Sequence, residues 1–200
     1  MEVFTHWRTW DAARADLESS GDGARADLAG VGRAADAARR WHGDQQRPTG
    51  VPYVEHLMEA LEVLVRGAGV TEPAVLSAAL LHDVVEDTPA TLADVEAGFG
   101  PEVTELVDWV TKPPVAGGGR QAKRAAKSAY LRRLRDAPPE AIVVKLADRV
   151  SNVQRLDQMP LDFQRRYYAE TCTYIIPLAE PHPWFAAWYA RWREAFAHLR

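Results

Sequence analysis

One cysteine, Cys172, stands among 200 residues. No intrachain disulfide framework is available, and a reducing compartment suits the chain. No apolar run approaches the ~20 residues that a membrane span needs, and the first ten residues carry no signal-peptide core. The expected setting is therefore the cytoplasm, away from membranes. Strand-like alternation is scarce. The Gly117–Gly119 segment lacks the Gly-Lys-Ser/Thr ending of a P-loop, and no Gly-x-Ser-x-Gly elbow occurs. An excess of basic charge is missing too: 28 Asp and Glu face 24 Lys and Arg, a net charge of −4. That balance argues against a nucleic-acid polymer as partner.

What is present is a helical pattern, with 47% hydrophobic residues, enough for one well-buried core. The spacing predicts helices over 24–41, 52–66, 73–87, 91–98, 100–112, 120–135, 139–156, 162–179 and 183–200. Thr71, Glu72 and Pro73 read as an N-cap followed by Pro in the first turn. Ala74 to Leu81 is apolar nearly all round, so that helix is expected to be central. Thr91 and Asp94 resemble an acidic capping box. Residues 113–120 form a Pro/Gly-rich loop, followed by a basic helix whose charges read as a solvated face. Trp184, Trp188, Trp192 and Phe196 recur every four residues in the tail, a face for packing on the body or on a second subunit. Cys172 reads as a core residue. The fold class expected is all-α, one domain over 1–200 with no internal linker.

Several polar groups sit where an apolar helix would not place them. His56 lies off the main stripe of its helix, beside Ala60 and Val63. Leu80-Leu81-His82-Asp83-Val84-Val85-Glu86-Asp87 ends an apolar helix in one imidazole and three carboxylates. In a continuous helix His82 would lie over Glu86, and Asp83 over Asp87. Like charges at that density repel, carboxylates are disfavoured at a helix C-terminus, and a divalent cation would reverse the cost. Asp148 interrupts the apolar Ile142–Val150 segment, where an ionised group needs a partner; Asn152 shares its face. Two His and two Asp with no thiolate suit a borderline-hard ion: Mn²⁺, with Fe²⁺, Zn²⁺ or Mg²⁺ also open. Such an ion lowers the pKa of water and polarises a phosphoryl oxygen, with Glu86 and Asp87 left over beside it.

In order and context, His56, His82-Asp83 and Asp148 resemble the HD superfamily of metal-dependent phosphohydrolases. The segments Gly50 to His56, Ala79 to Thr88, Phe99-Gly100, Val107 to Lys112, Lys145 to Asn152, Glu170-Thr171 and Pro177 to Ala179 are similar to the hydrolase domain of RelA/SpoT-type alarmone enzymes. The likeness covers about residues 30–180 and leaves 181–200 as an aromatic C-terminal helix. It implies an all-α HD-domain bundle and a stand-alone Mn²⁺-dependent hydrolase that removes the 3′-pyrophosphate of the small molecules ppGpp or pppGpp. It also implies roles: His56, His82, Asp83 and Asp148 as metal ligands, Glu86 and Asp87 as catalytic acids, and Arg47 and Asn152 as nucleotide contacts. Pro48, Leu57, Trp109 and Ser151 depart from the family's usual Lys, Pro, Gly and His; none of these is a ligand or acid position. Two other readings stay open: the same chemistry on another nucleotide, such as the 3′-phosphate of a dinucleotide cofactor, and a non-catalytic nucleotide sensor.

Overall fold

A computed structural model describes residues 1–20, 27–47, 49–114 and 119–200. Among these residues the regular structure is helical: α1 (Trp10–Ser20), α2 (Leu28–His42), α3 (Val54–Glu62), α4 (Pro73–Leu81), α5 (Val84–Asp87), α6 (Leu92–Val110), α7 (Arg120–Arg133), α8 (Pro139–Val153), α9 (Leu161–Glu170), α10 (Ile176–Ala179) and α11 (Pro183–Ala195). The all-α expectation holds. The first residues of the helix expected from 24, the loop residue Pro48 and residues 115–118 of the 113–120 loop lie outside the described residues.

The apolar α4 is the centre of the bundle, packed against α2, α3, α6 and α8. Every residue from Val75 to Leu81 is buried, as a helix without a polar face must be. α3 is likewise buried along its length from His56 to Glu62. This settles the second face of that helix: Ala60 and Val63 are covered, and His56 is 2% exposed. α3 and α8 pack directly on each other, which brings the polar positions of both helices to one place.

Several boundaries differ from the sequence-based expectation. The N-cap of α4 is Glu72 rather than Thr71, with Pro73 at the first helical position. The helix expected over 52–66 widens into a π turn at Val63–Gly67, and the 162–179 helix does the same at Thr171–Ile175. Gly67 sits where α11 crosses: a Cβ there would come within 2.4 Å of the Trp184 ring. The two helices expected at 91–98 and 100–112 are the two halves of α6, parted as expected by a kink at Gly100 with φ 81°, a conformation glycine adopts without strain. The capping box of α6 is present, with both Thr91 and Asp94 side chains engaged. α1 has no counterpart in the periodicity, because only Ala13 and Leu17 of its side chains are buried. The aromatic tail packs on the body. Trp188, Tyr189 and Trp192 are fully buried, and their polar atoms donate to the carbonyls of Glu2, Leu146 and Val153 respectively. Cys172 is only half-buried, on the margin of the core rather than in it. Ile142 and Val143 are half-buried as well, at the outer side of α8.

Candidate active site

α3, the α4–α5 junction and α8 each deliver polar side chains to one buried point. The continuous helix expected to run from Pro73 to Asp87 breaks at His82 and Asp83. The imidazole Nδ1 of His82 takes the Ala79 carbonyl at 2.7 Å, the acceptor that a continuing helix would give to the Asp83 amide. Such local side-chain bonds compete with the helical ladder. The break turns His82 and Asp83 toward His56 and Asp148, while Glu86 leaves the group. The expected stacking of His82 over Glu86 is therefore replaced by a separation of roles.

The two Nε2 atoms of His56 and His82 are 3.1 Å apart. Asp148 Oδ1 lies 3.3 Å from the first and 3.5 Å from the second. Asp83 Oδ2 lies 3.5 Å from His56 Nε2 and 3.1 Å from His82 Nε2. Both ring tautomers follow from the other nitrogen. Nδ1 of His82 faces a carbonyl, which can only accept, so it carries the proton. Nδ1 of His56 is 2.7 Å from Ser151 Oγ, and that hydroxyl gives its own proton to Glu59, so His56 must donate to it. With both rings neutral, as a cation would require, two ring lone pairs and two carboxylates face one another across about 3–3.5 Å, the spacing of atoms that share a small divalent ion at about 2.0–2.3 Å. The donor set fits such a cation, with His56, His82 and Asp148 forming a compact buried triad.

The electrostatics show the same demand for positive charge. Burial alone would lower the His82 imidazole, yet the Asp83 and Asp148 carboxylates outweigh it and hold its pKa well above the usual range. Burial would raise Asp83, and His82 brings it well below the ordinary carboxylate value instead. Asp148 is likewise pulled down against its burial, first by Lys145. The Lys145 ammonium, 4% exposed, meets Asp148 Oδ2 at 2.6 Å, and Asn152 Nδ2 donates to Asp148 Oδ1.

Around this point the remaining expected residues take distinct places. Asp87 accepts from the Tyr53 hydroxyl at 2.9 Å, and the same hydroxyl lies 2.5 Å from Asp83 Oδ2. Burial, reinforced by those carboxylates, raises the Tyr53 phenol, so Tyr53 stays a donor. Glu86 accepts from the Lys112 amide at 2.6 Å and its ammonium at 2.8 Å. One cavity of about 170 Å³ is lined by Asp83, Glu86, Asp87, Lys112, Asp148 and Asn152. Lys127 of the basic α7 also reaches it and pairs with Glu170 at 2.7 Å, so that helix is more than a solvated face. A second cavity, about 150 Å³, lies on the other side of Asn152 and is lined in part by Arg47, Glu59 and Ser151. Arg47 is not at the cluster; it pairs with Glu59 at 3.1 Å.

Tyr53, Glu59 and Lys145 have no role in the sequence reading, and Ser151 enters it only as a departure from the family's usual His. All four stand three residues from an expected ligand: Tyr53 before and Glu59 after His56, Lys145 before and Ser151 after Asp148. One helical turn from a ligand is where its supporting groups belong.

Comparison with known proteins follows this geometry. The profile of a family described as HD domain matches residues 34–184. A GTP pyrophosphokinase of Streptomyces coelicolor is 37% identical over 150 residues, which are 74% of this chain and 17% of that protein. The human guanosine-3′,5′-bis(diphosphate) 3′-pyrophosphohydrolase MESH1 is 40% identical over 127 residues, 62% of this chain and 68% of that protein. A solved structure described as a metazoan orthologue of SpoT that hydrolyses ppGpp superposes with a TM-score of 0.75 at 28% identity. That match covers 84% of this chain and 95% of the other.

Proposed function

The chain belongs to the HD-domain family, and we propose that it hydrolyses the 3′-pyrophosphate of ppGpp or pppGpp, releasing pyrophosphate and leaving GDP or GTP. The observation that carries this reading is the convergence of His56, His82, Asp83 and Asp148, with both Nε2 lone pairs aimed inward, in a chain similar over most of its length to a named 3′-pyrophosphohydrolase. In the same reading residues 1–200 act as one HD-type unit, the 181–200 helix serving to close the core. We place the reaction in the cytoplasm, which suits the free thiol of Cys172.

His56, His82, Asp83 and Asp148 would hold the divalent cation, and we assign it as Mn²⁺ on the mixed nitrogen and oxygen donor set. When bound, the cation supplies Lewis-acid chemistry, lowering the pKa of water and polarising the phosphoryl group. Lys145 compensates the buried Asp148 charge and keeps that carboxylate ionised. Tyr53 holds Asp83 and Asp87 in one hydrogen-bonded group. Glu86 and Asp87 border the cavity beside the cluster, where they would take the proton from the attacking water and return one to the leaving side. Arg47 would bind the nucleotide by exchanging Glu59 for phosphate or by stacking on the base. Asn152, which lines both cavities, would orient the ribose between them.

The test is product analysis. Protein loaded with Mn²⁺, and in parallel with Mg²⁺ or Zn²⁺, is incubated with ppGpp, a 3′-phosphorylated dinucleotide and a deoxynucleoside triphosphate. Pyrophosphate and GDP from ppGpp support the reading. Release of phosphate from the dinucleotide alone replaces it with the other nucleotide activity, and binding without turnover replaces it with a sensor.

A further inference from the structure

Residues 1–9 run outside any helix and precede the span that matches the family profile. They are bolted to the body as a strap. The Phe4 amide donates to Gln154 Oε1 at 2.8 Å, and the Phe4 carbonyl accepts from Gln154 Nε2 at 3.0 Å. The His6 and Trp7 amides donate to Glu62 Oε2 at 2.9 and 3.1 Å. Phe4 and Trp7 are each 2% exposed. Gln154 lies two residues beyond Asn152, so the strap has a fixed position relative to the residue that joins the two cavities.

Phe4 and Trp7 are buried, and Thr5, Trp7 and Arg8 of the strap border the second cavity, which Asn152 and Arg155 also line. The charge there is not closed. Among the described residues Arg8 reaches one acid, Glu55 at 3.8 Å, and its side chain is 65% exposed. Arg155 donates to Thr5 Oγ1 at 3.4 Å and has no ion-pair partner among those found in the described residues. Glu59, the other acid of the cavity, is already engaged by Arg47 and Ser151. Two guanidinium groups with spare donors therefore face one cavity from segments far apart in sequence, and forked guanidinium donors match phosphate oxygens.

We propose that Arg8 of the strap and Arg155 form a receiving site for the 5′-phosphates of the nucleotide. The proposal rests on the hydrolase reading, in which the 3′-pyrophosphate lies at the His56–Asp148 cluster and the rest of the molecule passes Asn152 into this cavity. The strap is then a selectivity element, distinguishing nucleotides phosphorylated at the 5′ position from nucleosides that are not.

The experiment compares GDP with guanosine by calorimetric titration of the full-length protein and of Arg8→Ala, Arg155→Ala and the double variant. Both side chains are exposed, so folding should be retained, and Arg8→Lys checks for partial rescue. The unaltered protein is expected to bind GDP more tightly than guanosine, with that advantage falling on the order of tenfold in the double variant while guanosine binding stays constant. Equal affinity for GDP and guanosine in the unaltered protein, or an advantage that survives in the double variant, would overturn the site. A GDP preference that depends on both arginines, in a protein that fails to hydrolyse ppGpp, would overturn the hydrolase reading and support the phosphate site.

Discussion

His56 and Glu59 meet through a single hydroxyl: Ser151 Oγ accepts from His56 Nδ1 at 2.7 Å and donates to Glu59. The direction of both bonds fixes Nδ1 as the donor and turns His56 Nε2 toward Asp148. Ser151→Ala removes the acceptor and frees the ring to rotate or change tautomer. Affinity for the divalent ion should fall about 10–100-fold, the usual effect of deleting a group that orients a ligating histidine. Ser151→Thr should retain most of it. Titration against a chelator of known affinity measures the change; an unaltered metal affinity in Ser151→Ala would remove Ser151 from the site.

Asp148→Ala should abolish metal binding and activity, and it should also destabilise the fold. It leaves the Lys145 ammonium buried without its carboxylate, a loss of about 3–5 kcal/mol for a broken buried pair. Pairing it with Lys145→Met should restore much of the Tm and none of the metal. Thermal melts beside metal analysis separate the two effects, since a purely structural role for Asp148 would let the double variant regain both.

Glu86→Gln and Asp87→Asn should keep the ion and lower kcat by about 10²–10⁴, the range for removal of acid–base assistance. Tyr53→Phe should act in the same direction with a smaller loss, because it loosens Asp87 without removing it. Single-turnover kinetics at saturating substrate report this directly; near-normal turnover in both acid variants would place proton handling elsewhere.

Glu170 gives a pH dependence that involves none of the four expected ligands. Burial would raise its carboxyl, but Arg149, followed by Lys127, brings it below the ordinary glutamate value. The folded protein thus binds fewer protons at this group than the unfolded chain. Its contribution is complete above the unfolded value near 4.3 and is lost as pH falls through the lower folded one. Glu170→Gln should lower Tm near neutral pH and flatten the acid limb of the stability profile below about pH 4.5. An acid limb identical to that of the unaltered protein would show that Glu170 is not responsible for it.

Much of the site was legible because its ligands violate their surroundings. His56, His82 and Asp148 are polar groups at positions where the neighbouring residues are Leu, Val and Ala, and burial makes such positions costly unless they share a partner. The centrality of α4 was legible for the converse reason, since a helix apolar all round has no place at a surface. The break at His82–Asp83 was not legible. It depends on an imidazole competing for the Ala79 carbonyl, and a rule based on 100° per residue carries no information about that competition. The pairing of Arg47 with Glu59 was not legible either, since a contact between a loop and α3 exists only after folding. The strap escaped because Phe4, Trp7 and their amides are satisfied by Gln154 and Glu62, partners distant in sequence.

The aromatic helix α11 touches that strap at two points: Trp188 donates to the Glu2 carbonyl, and Trp184 meets Phe4 edge to face at 5.6 Å. Neither contact involves an ion ligand or a carboxylate of the cluster. Amino-acid changes at 184 or 188 therefore bear directly on the strap, through contacts that none of the cluster's side chains makes. Bracing and ligation are thus built on separate contacts: the tail holds the strap, while the polar cluster is assembled by α3, the α4–α5 junction and α8.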